Sequence, residues 1–367
     1  MTGDVRIDGN ISTVYFVPPP NTFVPKQQEW TFSPQSCRII QTKNVAVKHL
    51  HNLQDVPTCT IKSNVPVMVF SLGGLVGNIW HDFSDVIIPL FLASKPLNGE
   101  VQFLIRDFFP WFVEKYSLIL KDLSNYDIVN FDKDKEVRCY GRATVGLLNH
   151  GDLGIHPDRA FDRFDLFRFR IYMREIYSLP PFWVDLPYKV DPRPSKKPRL
   201  MLVLRAGIRK FLNAEEVQEM IKKNGFELVV VEPNKNVNLT EFSKLVDSCD
   251  VLMGVHGAAL TNFFFLRTNA IMIQIIPYGH IDNFAFWYYG SQALEMKLRK
   301  IDYTIIPEES SLLEKYGWDH PVIKDPDSVN ARGFEDRMKY YWYEQDIRLN
   351  VTRFVPVLVK ALQLLKQ

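Results

Sequence analysis

Cysteine is scarce in this 367-residue chain: Cys37, Cys59, Cys139 and Cys249 are all there is, and no two stand at CxxC spacing. A zinc ribbon or an iron–sulfur framework is therefore not expected. The even count permits two disulfides in an oxidising compartment. Cys37 with Cys59 would close a short polar loop; Cys139 with Cys249 is the other pairing, unless either is a buried thiol. Also missing are a signal peptide and any apolar run of membrane-spanning length. The chain as it stands reads as soluble, and one trimmed of an N-terminal anchor would read the same. No long basic block occurs, and 44 basic residues nearly cancel 42 acidic ones. Nothing global points to nucleic acid, although a local basic pocket for an anionic substrate stays open. Internal repeats, low-complexity tracts, a GxGxxG fingerprint and a GKS/GKT phosphate loop are absent too.

What is present is apolar: hydrophobic residues make up 46% and aromatics 13%, which sets the chain among folded proteins with a sizeable core. Its length suits one large domain or two medium ones. Residues 1–60, rich in Pro, Asn and Gln, read as irregular or short strands. VPVMVFSL (65–72) then reads as a buried strand, followed by a glycine turn and a helix over 78–91. VQFLIRD (101–107) is a further strand, and PWFVEKYSLIL (110–120) a helix opened by proline. Six prolines and several charges in 179–199 suit an interdomain linker. After it the alternation restarts: a strand at 200–206, a helix at 213–225 capped by Asn213, the strand FELVVVEP, a helix at 240–250 capped by Thr240, the strand VLMGVHG, and a strand at 270–279. This predicts an α/β protein with a largely parallel sheet in each of two domains, 1–185 and 186–344. The tail reads as two helices around a break near residue 350, the last of which (345–367) could pack back on the first domain. Three sequons, at Asn10, Asn238 and Asn350, lean toward the secretory pathway.

Two constellations carry chemistry. In GNIWHDFSDVIIPLF (77–91), a projection at 100° per residue puts Asn78, His81, Asp82 and Asp85 on one edge, opposite Ile79, Phe83, Val86, Ile87 and Leu90. His81 and Asp85, four apart, can touch. The edge is either a solvated helix face or a general base in a cleft, where a carboxylate gains basicity and a histidine orients it. In VLMGVHGAALTNFFFLR (251–267), a strand runs through His256 and Gly257 into a helix from about Ala258. That is either an ordinary tight turn or a phosphate site, with His256, Gly257, Ala258, Thr261 and Asn262 as its wall. Arg205 and Arg209, with Lys210 as a third candidate, follow a strand and can clamp a diphosphate or simply form a basic turn. Glu232 could accept from a ribose. Residues 277–290, beginning Pro277-Tyr278, crowd aromatics around His280 and Asp282, and NHGDLGIH (149–156) reads as a loop able to line a cleft.

Taken together, GNIWHDFSDVIIPLF and MGVHGAALTNFFFLRTNAIMIQIIPYG, with the Arg205–Arg209 stretch, resemble the plant xylan-modifying glycosyltransferases of family 61 over roughly residues 35–320. That family includes Golgi β-1,2-xylosyltransferases and α-1,3-arabinofuranosyltransferases of xylan, and a protein-glycan β-1,2-xylosyltransferase. More distantly the motifs look like animal O-linked GlcNAc transferases of the secretory pathway. The resemblance implies a GT-B fold, two Rossmann-like domains facing a central cleft. It implies inverting, metal-independent transfer from a nucleotide sugar, with no cofactor and no metal ligands, and no DxD motif of the metal-binding kind is seen. It carries the base role to Asp85 first, then His81, with Asp82 beside them. Donor diphosphate recognition falls to His256, Gly257 and Asn262, with Arg205 and Arg209. UDP-xylose is the leading donor and UDP-arabinofuranose the runner-up. The acceptor is a neutral β-1,4-xylan or xylo-oligosaccharide in an aromatic groove drawn from residues such as Trp111, Phe112, Trp287 or Tyr288. The full-length protein is expected in the Golgi lumen as a type II membrane protein whose anchor lies outside this chain. A UDP-sugar-binding module without turnover is the rival of another class.

Overall fold

The computed structural model describes residues 1–20, 22, 29–34, 42–181, 197–232 and 237–366. The chain divides into two compact units, Met1–Phe164 and Asp165–Gln367.

The first unit is built on one mixed sheet of nine described strands: β1 (Thr2–Asp8), β2 (Thr13–Val17), β3 (Glu29–Phe32), β4 (Val45–His49), β5 (Ile61–Lys62), β6 (Val67–Ser71), β7 (Gln102–Arg106), β8 (Val129–Asn130) and β9 (Val137–Val145). Its order is β3-β4-β2-β1-β9-β6-β7-β8, with β5 beside β9. The run β9-β6-β7-β8 is parallel, as continuous apolar segments such as the wholly buried Val67–Ser71 require. The sheet is not largely parallel throughout. β1 lies antiparallel to β2 and β9, and β3 to β4, so the first 60 residues supply four regular strands. Their signature is period-two alternation, with Val5, Ile7, Val14, Val45 and Val47 on the core side.

The disulfide differs from both expected pairings. Cys59 joins Cys139, and Cys249 is a buried free thiol, while Cys37 lies outside the described residues. The reason is register: β5 pairs with β9 at Ile61↔Arg138 and Lys62↔Cys139, which brings Cys59 alongside. A crosslink closing an 80-residue separation is worth about 4.5 kcal/mol in the chain-entropy account. Cys59→Ser is expected to lose stability of that order in urea unfolding. The wild type should show the same loss when unfolded with a strong reductant.

The second unit carries a five-stranded, wholly parallel sheet: β10 (Arg199–Val203), β11 (Glu227–Val231), β12 (Val251–Val255), β13 (Ile271–Ile276) and β14 (Arg299–Thr304), in the order β11-β10-β12-β13-β14. Numbered within the unit this is 2-1-3-4-5, a doubly wound order whose direction reverses between β10 and β12. Helices Ala214–Lys223 and Val351–Leu365 pack one face of the sheet through Val217, Ile221, Leu358 and Ala361. The last helix therefore stays with its own unit and does not cross back to the first, because its apolar stripe completes this core.

The start of the second unit also lies earlier than the 185/186 boundary, which falls outside the described residues. Helix Leu166–Ile176 belongs to it. Two buried arginines hold the helix there: Arg170 donates to the carbonyl oxygens of Met296 and Leu266, and Arg174 to that of Phe265 and to Asp247 Oδ1 at 2.7 Å. The helix caps shift as well. Asn238, not Thr240, caps Leu239–Asp247, and Asn213 is tied to the backbone of Leu349 instead of capping its helix.

Candidate active site

In the first unit the helical run after β6 starts as an α-turn (Ile79–His81), widens to a π-helix over Asp82–Ile87 and returns to α over Ile88–Ser94. Pro89 explains the widening. It has no N–H for the carbonyl of Asp85 four residues back, and its ring crowds that carbonyl. The chain takes an i→i+5 bond instead, from Ile88 N–H to Phe83 O.

The widened turn sorts the polar residues differently from a uniform 100° projection. His81 Nδ1 meets Asp85 Oδ2 at 2.7 Å, with the imidazole half-buried and the carboxylate 3% exposed. Asp82 turns inward and is fully buried. It accepts from Gly77 N–H (2.7 Å) and Tyr116 O–H (2.6 Å), and Lys115 Nζ stands 3.8 Å away. Burial raises its carboxyl above the ordinary range, against the pull of those donors and cations. Burial also lowers the Lys115 ammonium, and Asp82 opposes that. Gly77 sits at φ +109, a conformation that suits glycine and aims its N–H at Asp82. Asn78 is exposed and caps the first turn. A solvated helix edge does not describe this arrangement, since both carboxylates are buried.

In the second unit the site forms where β10 and β12 end, at the point where strand order reverses. Arg205 follows β10 and donates to Ile208 O at 2.9 Å. Arg209, 7% exposed and at φ +56, donates from its side chain to His256 O (2.9 Å) and from its backbone to Gln345 O (2.9 Å). No described carboxylate forms an ion pair with either guanidinium. Burial, and then the charge of Arg205, lower Arg209 to about 9. His256, ending the β12 turn, is buried among Tyr289, Trp342 and Tyr288, with ring centroids 5.4, 5.9 and 6.2 Å away. Burial and then the two arginines hold its imidazole down to about 3, so it is neutral at any working pH.

Arg209 Nε, His256 Nδ1 and Asn262 Oδ1 are buried here without a hydrogen-bond partner among the described residues. Gly257 makes the cradle possible, because a Cβ there would stand 2.3 Å from an Arg205 guanidinium nitrogen. The following segment, Ala258–Phe265, is a 3-10 helix. A buried and a half-buried cation without a described carboxylate partner, beside a neutral imidazole, suit a compact anion.

The family model described as Glycosyltransferase 61 matches residues 79–273, which includes both sets of residues. The chain belongs to glycosyltransferase family 61. It is 37% identical over 372 residues to an alpha-1,3-arabinosyltransferase and to a beta-1,2-xylosyltransferase of Oryza sativa subsp. japonica, covering 100% of this chain and 62% and 65% of those proteins. It is 35% identical over 383 residues to a second rice beta-1,2-xylosyltransferase, covering 82% of it. The chain thus spans just under two thirds of the length of the first two relatives.

The other expected site residues of this family 61 chain are divided between the wall of this site and the surface. Lys210 is bound to Asp346, through its N–H at 3.0 Å and its ammonium at 3.8 Å. Glu232 is exposed just past β11. Pro277 is buried, and Tyr278 donates its hydroxyl to Ile323 O and its N–H to Gln345 Oε1, so both shape the wall. Ala258 is half-buried at the mouth of the turn. His280 faces Asp327 at 3.0 Å on the surface. Phe112 is wholly buried against Tyr116 and is removed from the aromatic groove, whereas Trp287 is 59% exposed beside Phe284.

Two contributors were missed, Gln345, which ties Arg209 to Tyr278, and the aromatic wall Trp342, while Tyr289 comes from the aromatic stretch 277–290 without having been singled out there. Among the described residues, no group of three or more His, Cys, Asp and Glu side chains is arranged to hold a metal, and no helix is long and apolar enough to cross a membrane.

Proposed function

We propose that this chain is the catalytic region of an inverting, metal-independent glycosyltransferase that moves xylose from UDP-xylose to O2 of a backbone xylose in β-1,4-xylan. The reading takes the two units as the two Rossmann-like halves of a GT-B fold. One observation carries it: the half-buried Arg205 and the buried Arg209 stand together without a described carboxylate partner, in the turn that follows β10 and beside the end of β12. Strand ends at a switch point are where doubly wound sheets hold ligands. A diphosphate supplies the missing negative charge.

Inversion takes a single displacement. The acceptor hydroxyl loses its proton to Asp85, which His81 orients. The hydroxyl oxygen bonds the anomeric carbon from the face opposite the nucleotide, and the bond from that carbon to the diphosphate oxygen breaks. Charge growing on the leaving diphosphate is met by Arg205, Arg209 and the N–H groups after Gly257, which do not need to reorganise as it develops. Asp82 is given a supporting role, holding Gly77 and Tyr116 around the base. Trp287 offers an exposed ring to a sugar face.

The relatives at 37% identity include both a xylosyl- and an arabinosyltransferase, so transfer of arabinofuranose from UDP-arabinofuranose to O3 is the second reading. A protein-glycan β-1,2-xylosyltransferase, or a UDP-sugar-binding protein without turnover, is less well supported. We place the full-length protein in the Golgi lumen, held by an N-terminal anchor beyond this chain. The Cys59–Cys139 disulfide suits that oxidising compartment.

The test incubates the protein with xylo-oligosaccharides and, separately, each UDP-pentose, with EDTA present, and reads the linkage by NMR. A β-1,2-linked xylose is the expected product. Arabinose transfer alone would move the chain to the second reading, and a reaction abolished by EDTA and restored by a divalent cation would contradict metal independence.

A further inference from the structure

A third carboxylate stands beside His81 and Asp85, on a loop that the mechanism above leaves unused. Residues 149–156 (NHGDLGIH) fold on themselves: Gly151 N–H donates to Asn149 Oδ1 at 2.6 Å, and His156 N–H to His150 Nδ1 at 3.3 Å. Leu153, fully buried and at φ +48, donates its N–H to Ser84 Oγ at 3.3 Å. Ser84 precedes Asp85 on the widened turn, and Asp152 precedes Leu153. The tether therefore delivers the Asp152 carboxyl to the turn that carries the base.

The electrostatics agree with that placement. Asp152 as a residue is exposed, but its carboxyl is crowded by protein. That desolvation first, and the negative charge of Asp85 second, raise it above the ordinary range, while His81 opposes them. The loop also carries His150, held below its ordinary range by burial and then by the charges of Arg159 and His156. Lys115 faces Asp82 at 3.8 Å, and Asp82 is bound by Gly77 and Tyr116. Trp80 covers the edge of the His81 ring at 4.7 Å.

We propose that Asp152 is a positioning residue of the proton-accepting set, a second carboxylate in the field of His81 that fixes the charge state in which the His81–Asp85 pair takes the acceptor's proton. The inference rests on Asp85 being the base. Where ionisable groups act on one another's charge, the pH limb of a rate belongs to the set and not to one residue. Removing one negative charge makes the cluster release its proton at lower pH.

The experiment compares pH–rate profiles of the wild type, Asp152→Asn, Asp152→Glu and Asp85→Asn with the same donor and acceptor. Asp152→Asn is nearly isosteric, and its fold is checked by thermal unfolding. Expected are a fall in kcat of about tenfold, an acidic limb moved down by about half to one pH unit, and an unchanged KM for the UDP-sugar. Asp152→Glu should return the limb toward wild type. A limb that stays in place in Asp152→Asn, whatever the rate, overturns the inference and reduces the loop to scaffolding, with the base assignment intact if Asp85→Asn is inactive. Transfer that persists in Asp85→Asn instead overturns the base assignment itself, and this inference with it.

Discussion

Asp85→Asn is expected to lower kcat for sugar transfer by about 100- to 10,000-fold, the range a positioned general base contributes. The substitution keeps size and the capacity to hydrogen-bond His81 across 2.7 Å, but an amide cannot take up the acceptor's proton. The neighbouring Asp82→Asn serves as its contrast. Asp82 is fully buried and already accepts from Gly77 N–H on one oxygen and Tyr116 O–H on the other, so an amide there keeps one acceptor and turns its NH2 toward a group that now donates. Its loss should appear in stability, at about 1–3 kcal/mol, with a smaller share in rate. Steady-state kinetics and urea unfolding on the two variants separate the roles. Equal falls in kcat with equal losses of stability would show that the whole turn had collapsed and that neither carboxylate is specifically the base.

Arg209→Met is expected to cost about 100- to 1000-fold in kcat/KM for the donor, as loss of one preorganised charge-stabilising group does. The ligand-free variant should melt no lower than wild type. This second half follows from the electrostatics. Arg209 sits buried beside Arg205, both guanidiniums are pushed down by burial, and no described carboxylate repays them. A methionine retains the packing and removes the repulsion, at the cost of one bond to His256 O. Arg174 is the opposite case. It is buried against Asp247 at 2.7 Å, and Arg174→Met strands that carboxylate, which typically costs 3–5 kcal/mol. Under the proposed function, one arginine serves the ligand and the other the fold. Differential scanning calorimetry of both variants, with and without UDP, checks the distinction. A melting temperature for ligand-free Arg209→Met that drops as far as that of Arg174→Met would place Arg209 among the structural arginines.

The parallel strands of the second unit were legible within a few residues. Segments such as LMLVLRA and VLMGVHG pair an unbroken apolar run with an abrupt polar or glycine ending, the mark of a strand buried on both faces. The opening 60 residues were not, because Pro, Asn and Gln between the strands hid the alternation in stretches such as DVRID. Strand order was out of reach of local pattern, and so was the pairing of Cys59 with Cys139, which depends on the register of β5 against β9.

At the site, the i,i+4 spacing of His81 and Asp85 predicted a contact that the structure shows. The inward turn of Asp82 was missed because a uniform helix was assumed. Pro89, seven residues on, was the available warning that the helix could not stay uniform. Gln345 and Trp342 escaped notice because their partners lie far away along the chain, Tyr278 being 67 residues from Gln345. Only packing of the tail onto its own sheet brings them to Arg209 and His256.

In the proposed mechanism the work is divided between the units, with proton transfer at Asp85 in the first and anion binding at Arg205 and Arg209 in the second. Calorimetric titration of UDP into the wild type, Asp85→Asn and the double variant Arg205→Met/Arg209→Met tests that division most directly. The prediction is an unchanged affinity for Asp85→Asn and a loss of about 100-fold or more for the double variant, as expected for two charge-assisted contacts. UDP affinity that survives loss of both arginines, or that falls as far with Asp85→Asn, would contradict it.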